Sequence, residues 1–373
     1  MKKTAIATLH FYNNFGSVLQ AYALRRVLQD LTGNEVDILP YRPPLPEYVY
    51  FQDASLQERY RQKCEKFEFF RKEHLGMARG VEDALHTQRD LAGKMQDYDA
   101  AIVGSDIVWG REFSGLDPVY FLQPAREGCR RISYAASVLL DGAGNTEDDA
   151  LFASHLRKFD AISLRETSAL QSIQRFTDRK VTAVLDPTLL LDAAEYEKLV
   201  VEKRREDEEK EESEDIKKAA GNHKPYLLAY FLTHDPAVVE YTNLMARKLG
   251  LRVIHYFADY PDRVFPADAG CFAFAGPGEF LGYVKHASCI FTNSFHGTCF
   301  AMIYRKPFYT YMAKRAMLSR VRDMVCRLGM ENRFFSDFRD LDKVTDQVDY
   351  SRLEQKLQAE RAHSLGFLRE ALG

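Results

Sequence analysis

The sequence predicts a two-domain α/β protein in which each domain is a parallel sheet with crossover helices. Three observations lead there. The chain has 373 residues, 46% of them apolar and 12% aromatic, more than one hydrophobic core usually organises. Strand-like apolar runs alternate with helix-like amphipathic ones in both halves, the order that parallel sheets require. Between the halves, Glu202 to Lys218 is almost wholly charged, a composition that stays solvated and marks a linker.

The elements follow in order. Thr4–Leu9 reads as a first buried strand, because its apolar run is too short for a secretory signal and is broken by His10, Asn13 and Asn14. A polar loop leads into a helix at Ser17–Leu31, with Val18, Leu19, Tyr22, Val27, Leu28 and Leu31 as its apolar stripe and Gly33 placed to stop it. Glu35–Leu39 is a strand. Residues 48–95 read as a mostly helical, charged elaboration of the first domain, anchored by Tyr60, Phe67, Phe69 and Phe70. Strands at Asp99–Val103, Ile132–Ala136, Ala161–Leu164 and Val181–Leu185 alternate with helices that include Asp148–Lys158 and Thr167–Phe176.

The second half restarts the alternation. Strands are expected at Tyr226–Leu232, Arg252–Phe257, Cys289–Thr292 and Pro307–Tyr311, and helices at Ala237–Leu249, Glu279–His286, Gly297–Tyr304 and Lys314–Leu328. Ser351–Leu372 is a final amphipathic helix, with Leu353, Leu357, Leu365 and Leu368 as its apolar contacts. The expected domains are residues 1–200, a charged linker at 201–223, residues 224–345, and a terminal helix at 346–373.

Composition narrows the function. A net charge of −3 gives no overall pull toward nucleic acid or an anionic membrane, and no stretch approaches the length that spans a bilayer. The six cysteines form no Cys-x-x-Cys pair and no metal-ligand spacing with histidine, so a reducing, cytoplasmic setting without a metal centre is expected.

In open parallel sheets, ligands sit beyond the carboxyl ends of the strands, so the loops there hold the candidates. Thr292-Asn293-Ser294-Phe295-His296-Gly297-Thr298 joins a strand to a helix. Gly297 removes a side chain where the helix begins, and the helix-start amides and dipole favour an anion. Ser294 and Thr298 can add hydroxyls, and His296 a hydrogen bond or a proton. The alternative is a Ser294 N-cap beside an incidental histidine. Arg165 ends a strand ahead of Glu166, where its fork suits a carboxylate or phosphate, or else simply pairs with Glu166. Gly104-Ser105-Asp106 follows another strand, with Trp109 close behind as a sugar platform, unless Ser105 or Asp106 merely caps a short helix. The loop His10 to Ser17 offers Asn14, Gly16 and Ser17 but neither dinucleotide nor P-loop spacing, and Asp186-Pro187-Thr188 reads mainly as a turn.

In order along the chain, these segments resemble the polysaccharide pyruvyltransferase family. The matching residues are Asn14-Phe15-Gly16-Ser17-Val18-Leu19-Gln20-Ala21-Tyr22, Val103 to Trp109, Ile132 to Ser137, Ile162 to Glu166, Leu185 to Leu190 and Thr292 to Thr298, with Pro307-Phe308 and Ser319-Arg320 completing the series. The resemblance implies two Rossmann-like domains facing a cleft, similar to GT-B glycosyltransferases. It further implies transfer of pyruvate from phosphoenolpyruvate onto two hydroxyls of one sugar, with release of phosphate. It assigns His296 and its neighbours Ser294, Phe295, Gly297 and Thr298, together with Arg165, to phosphoenolpyruvate. Some members carry an arginine two residues before that histidine, where this chain has Ser294, so Arg320 or Lys306 is expected to supply the charge.

The expected catalytic groups are His296, Asp106 and Arg165; the expected acceptor site is Asn14, Gly16, Ser17, Ser105, Asp106 and Trp109. Phosphoenolpyruvate is a co-substrate, and no cofactor or metal is expected. The acceptor is a glycan or lipid-linked saccharide, and a lipid-linked one would bring the protein to the inner face of the membrane. Two other readings share the architecture: a glycosyltransferase using a sugar nucleotide, and a glycan-binding protein without turnover.

Overall fold

A computed structural model describes residues 2–42, 53–77, 85–139, 146–200, 225–232, 236–257, 274–311, 315–335, 343–345 and 347–373. The charged run expected as a linker lies outside these residues. The chain divides into two compact units. Unit 1 comprises Met1–Tyr48, Glu68–Leu190 and Gln355–Gly373; unit 2 comprises Val49–Phe67 and Leu191–Glu354.

In unit 1 the chain runs through β1 (Lys3–Ala7), α1 (Phe15–Thr32) and β2 (Glu35–Ile38) to α2 (Ala54–His74), whose residues from Glu68 onward belong to this unit. It continues through α3 (Gln88–Lys94), β3 (Ala100–Val103), β4 (Trp109–Gly110), α4 (Arg111–Ser114), β5 (Arg130–Ala136) and β6 (Val138–Leu139). Then come α5 (Thr146–Leu156), β7 (Ala161–Leu164), α6 (Leu170–Gln174) and β8 (Val181–Ala183). The sheet order is β2-β1-β3-β5-β7-β8 and every pairing is parallel. Strand order therefore reverses between β1 and β3, which opens a crevice at their carboxyl ends.

Local sequence explains the key boundaries. Asn14 caps α1 by accepting from the Gly16 and Ser17 amides at 2.9 and 3.3 Å, and Gly33 ends the helix in the left-handed region at φ 63°. Ala135, also at positive φ, marks an irregularity where β5 loses register with β7 after Ser133. The helix expected at Thr167–Phe176 is split into a 3₁₀ turn at Thr167–Ala169 followed by the short α6.

Unit 2 contains α7 (Ala193–Val200), β9 (Tyr226–Phe231), α8 (Pro236–Leu249), β10 (Arg252–Phe257), α9 (Pro277–His286), β11 (Cys289–Thr292), α10 (Phe295–Ile303), β12 (Phe308–Tyr311), α11 (Arg315–Arg327) and β13 (Phe334–Phe335). Its sheet order is β10-β9-β11-β12-β13, again all parallel, with the reversal between β9 and β11. The last helix, α12 (Ser351–Leu372), begins in unit 2 and belongs to unit 1 from Gln355 onward.

This division differs from the expected boundaries in three places, the first being that Val49–Phe67, expected as part of an elaboration of the first domain, belongs to unit 2. Helix α7 precedes the charged run, yet Tyr196 packs edge-to-face on Phe300 of α10 at 5.0 Å, which places it in unit 2. The tail was expected to stand apart, but Ser364 accepts from the Leu185 amide at 2.9 Å and Arg361 donates to the Leu189 carbonyl at 2.6 Å within unit 1. Among the described residues, no helix is long and apolar enough to cross a membrane.

Candidate functional site

The crevice of unit 1 is built from the loops after β1 and β3. Ser17, in the first turn of α1, donates to Asp106 Oδ2 at 2.7 Å. Asp106 holds a positive φ of 75°, which aspartate tolerates better than most residues, and its Oδ1 accepts from the Ile107 amide at 2.9 Å. Asp106 is only partly buried, so its carboxylate stands at the edge of the fold. The loop beneath is clamped by Arg71 of α2, which donates to the carbonyls of His10, Phe11 and Tyr12 and to Asn13 Oδ1, all within 2.8–2.9 Å. Burial and the Arg71 charge push His10 down to about 4, so its ring is neutral and Nε2 donates to the Leu39 carbonyl.

Behind Asp106 lies a fully buried polar network. Asp186 accepts from Ser105 Oγ at 2.8 Å, from Arg165 at 3.2 Å, and from both the amide and hydroxyl of Thr188. Glu166 accepts from Ser137 Oγ and from Arg165 Nε at 3.4 Å, while its Oε2 is buried without a hydrogen-bond partner. Burial works against the Arg165 charge, but Glu166, Asp186 and Asp106 outweigh it and push its pKa up. One guanidinium thus faces three carboxylates, so anionic groups outnumber the cation in this cluster.

Unit 1 brings Asn14, Gly16, Ser17 and Asp106 together, with Ser105 and Arg165 turned into the network. Trp109 is a correction. Its indole is completely buried, stacked on Phe121 at 5.7 Å with Nε1 bonded to the Tyr120 carbonyl, so it has no face to offer a sugar. The aromatic ring near Asp106 is the half-buried Tyr12, whose phenol is pushed up by burial and by the Asp106 charge. Asp186 was legible only as a turn, Arg71 only as part of a charged helix.

In unit 2, α10 begins directly beyond β11. Ser294 caps it, accepting from the Gly297 amide at 3.1 Å and giving its own amide to Thr292 Oγ1. The Thr298 hydroxyl donates back to the Ser294 carbonyl at 3.0 Å, so it serves the helix rather than a ligand. Gly297 also acts differently from expectation. A Cβ there would lie 2.7 Å from both Thr292 Oγ1 and Tyr230 Cδ1, so the glycine permits helix-on-sheet contact rather than ligand approach. Phe295 is partly exposed and His296 almost fully buried beside it, their rings 5.3 Å apart. Arg320 is buried on α11, which packs on α10 through Met324 and Cys299, whose sulfurs are 3.3 Å apart. Lys306 precedes β12 and therefore lies at the amino end of the sheet, opposite the start of α10, which removes it as the source of the charge missing at Ser294.

A family model described as polysaccharide pyruvyl transferase matches residues 14–312. No match was found among curated proteins. Among solved structures, the UDP-N-acetylglucosamine 2-epimerase of Rickettsia bellii is similar at a TM-score of 0.54 and 10% identity, covering 100% of this chain and 96% of that one. The UDP-GlcNAc 2-epimerase of Neisseria meningitidis, bound to UDP-GlcNAc, is similar at 0.51 and 10%, covering 100% and 99%. The O-GlcNAc transferase of Thermobaculum terrenum gives 0.42 and 10%, covering 99% and 64%. At these identities the likeness is one of fold: an α/β chain with parallel sheets.

Proposed function

Because the chain belongs to the polysaccharide pyruvyl transferase family, we propose that it moves pyruvate from phosphoenolpyruvate onto two hydroxyls of one sugar in a glycan. The observation that carries this reading is the Ser17–Asp106 pair at the strand-order reversal of unit 1, a carboxylate poised at the fold's edge for a hydroxyl proton. The chemistry breaks the bond between the enol carbon and the phosphate oxygen and forms two carbon–oxygen bonds to the sugar. One hydroxyl proton replaces the one delivered to the methylene carbon, which becomes a methyl group; the second leaves with phosphate.

Asp106 is assigned the hydroxyl proton. Neighbouring carboxylates suit this step, because like charge raises a carboxylate's affinity for a proton. The donor phosphate is assigned to the start of α10, with His296 as clamp and acid. Arg165 was expected to hold the donor carboxylate. To do so it would have to take a further carboxylate while already paired with Asp186 and Glu166, which favours a scaffolding role for it.

The test is to incubate the protein with phosphoenolpyruvate and a panel of lipid-linked and free oligosaccharides. The expected result is a pyruvate ketal by mass spectrometry together with stoichiometric phosphate. Release of a nucleoside diphosphate from a sugar nucleotide, with no ketal, would replace this reading with the glycosyltransferase one. Glycan binding without turnover of any donor would leave a binding protein.

A further inference from the structure

A loop at the carboxyl end of a strand binds best when its backbone is already fixed, because ordering a loose one costs affinity. The loop after β1 is fixed at every step. Arg71, only 3% exposed, donates to the carbonyls of His10, Phe11 and Tyr12 and to Asn13 Oδ1, and Asn14 then caps α1. Gln20 of α1 adds a second tie from within. Its side-chain amide donates to Thr8 Oγ1 and to the Ser17 carbonyl, each at 2.9 Å, and the Thr8 hydroxyl donates to the Ser105 carbonyl at 2.9 Å. The loops after β1 and β3 are thereby joined into one rim around the Ser17–Asp106 pair.

From that rim one aromatic side chain reaches across the crevice. The Tyr12 hydroxyl donates to the Phe113 carbonyl of α4 at 3.3 Å, so the side chain spans from the loop after β1 to the segment that follows Asp106. Its ring packs on Phe11 at 4.5 Å with the planes inclined by 45°, and the residue is still only partly buried. Burial, and then the charge of Asp106, push the Tyr12 phenol up, so the hydroxyl remains a donor close to that carboxylate. Trp109, Tyr120 and Phe121 follow Asp106 in sequence but are each at most 1% exposed, committed to the core of the unit. A sugar presents an apolar C–H face and a polar edge, and it fits a site where an exposed ring stands beside a group that accepts from a hydroxyl. Tyrosine suits such a role because it gives a large contact area while losing few rotamers.

We propose that the Tyr12 ring is the platform on which the acceptor sugar packs while one of its hydroxyls meets Asp106. This rests on the pyruvyl-transfer reading above for the role of Asp106, but not for the sugar contact itself. It gives unit 1 the aromatic face that the buried Trp109 cannot supply.

The probes are the methyl glycosides of glucose, galactose, mannose and N-acetylglucosamine, titrated into the full chain and followed by NMR, with phosphoenolpyruvate titrated in parallel. The wild type should bind at least one glycoside. Tyr12→Leu keeps apolar bulk without a ring and should bind that glycoside at least about tenfold more weakly, with phosphoenolpyruvate affinity within about twofold of wild type. Tyr12→Phe keeps the ring and gives up only the bond to Phe113, so it should stay within about threefold. Wild-type glycoside affinity in Tyr12→Leu, an equal loss in Tyr12→Phe, or a wild type that binds none of the four overturns the proposal. Should Tyr12→Leu not fold, nuclear Overhauser contacts between glycoside C–H protons and the Tyr12 ring are expected in the wild type, and their absence is equally fatal. Tyr12-dependent glycoside binding without ketal formation keeps the platform and removes pyruvyl transfer. Ketal formation that is indifferent to Tyr12→Leu keeps the transfer and removes the platform.

Discussion

Replacing Asp106 with asparagine should separate the chemistry of its carboxylate from its part in the fold. The residue sits at φ 75°, a conformation that asparagine adopts about as readily as aspartate. Asparagine can keep the Oδ1 bond to the Ile107 amide and swaps Oδ2 for an amide nitrogen facing Ser17 Oγ, which can turn its hydroxyl to accept. Both hydrogen bonds lose their charge assistance and Arg165 loses one of its carboxylate neighbours, a loss of about 1–2 kcal/mol, which moves the melting temperature by roughly 2–8 °C in units of this size. Turnover should fall far more, by about 10²–10⁴-fold, because an amide cannot accept the hydroxyl proton. Asp106→Ala makes the informative contrast: it loses the hydrogen bonds and places alanine in the left-handed region, adding about 1–2 kcal/mol of strain. The assay is single-turnover ketal formation beside thermal melts of both variants. If Asp106→Asn turns over within about threefold of wild type, the carboxylate is only a cap for the Ile107 turn and the base lies elsewhere.

The network and the helix start give two further expectations. Arg165→Lys keeps a charge but cannot reach both Asp186 and Glu166, so a buried carboxylate loses its partner and stability should fall by about 3 kcal/mol or more, measured by chemical denaturation. If Arg165 also holds the donor carboxylate, phosphoenolpyruvate affinity of the folded fraction drops tenfold to a hundredfold, roughly 1.5–3 kcal/mol; unchanged affinity leaves it a scaffold residue. Gly297→Ala forces a methyl against Tyr230 and Thr292, an overpacking cost of about 1–3 kcal/mol against a helix-propensity gain of about 1 kcal/mol at most, so the variant should be less stable. A more stable Gly297→Ala would mean that α10 can shift off the sheet.

What could be read from the sequence was set by how local each cause is. Buried parallel strands are continuous apolar runs, so Ala161–Leu164, Arg252–Phe257 and Cys289–Thr292 have the bounds expected from their residues alone. The stop at Gly33 is likewise decided within a few residues, whereas the Asn14 cap starts α1 at Phe15, two residues before the Ser17 expected for it. Trp109 could not be placed this way, because nothing in its neighbours tells a platform from a core ring; Phe121, Phe152 and Phe159, which enclose it, come later in the chain. The boundary expected after residue 200, which the structure moves to Leu190, was misplaced for the same reason, since Phe300, on which Tyr196 of α7 packs, appears about a hundred residues on.

Arg165 shows how far this matters for function. Beside Glu166 in sequence it reads as a ligand or as half of a surface pair. Its second ion-pair partner, Asp186, is distant in sequence and makes the group the centre of a buried cluster in which carboxylates outnumber it. Fixed negative charge around a carboxylate raises its affinity for a proton and opposes the approach of an anionic ligand. Under the proposed reading such a cluster suits an acceptor hydroxyl better than an anionic donor, a distinction that no single motif in the sequence contains.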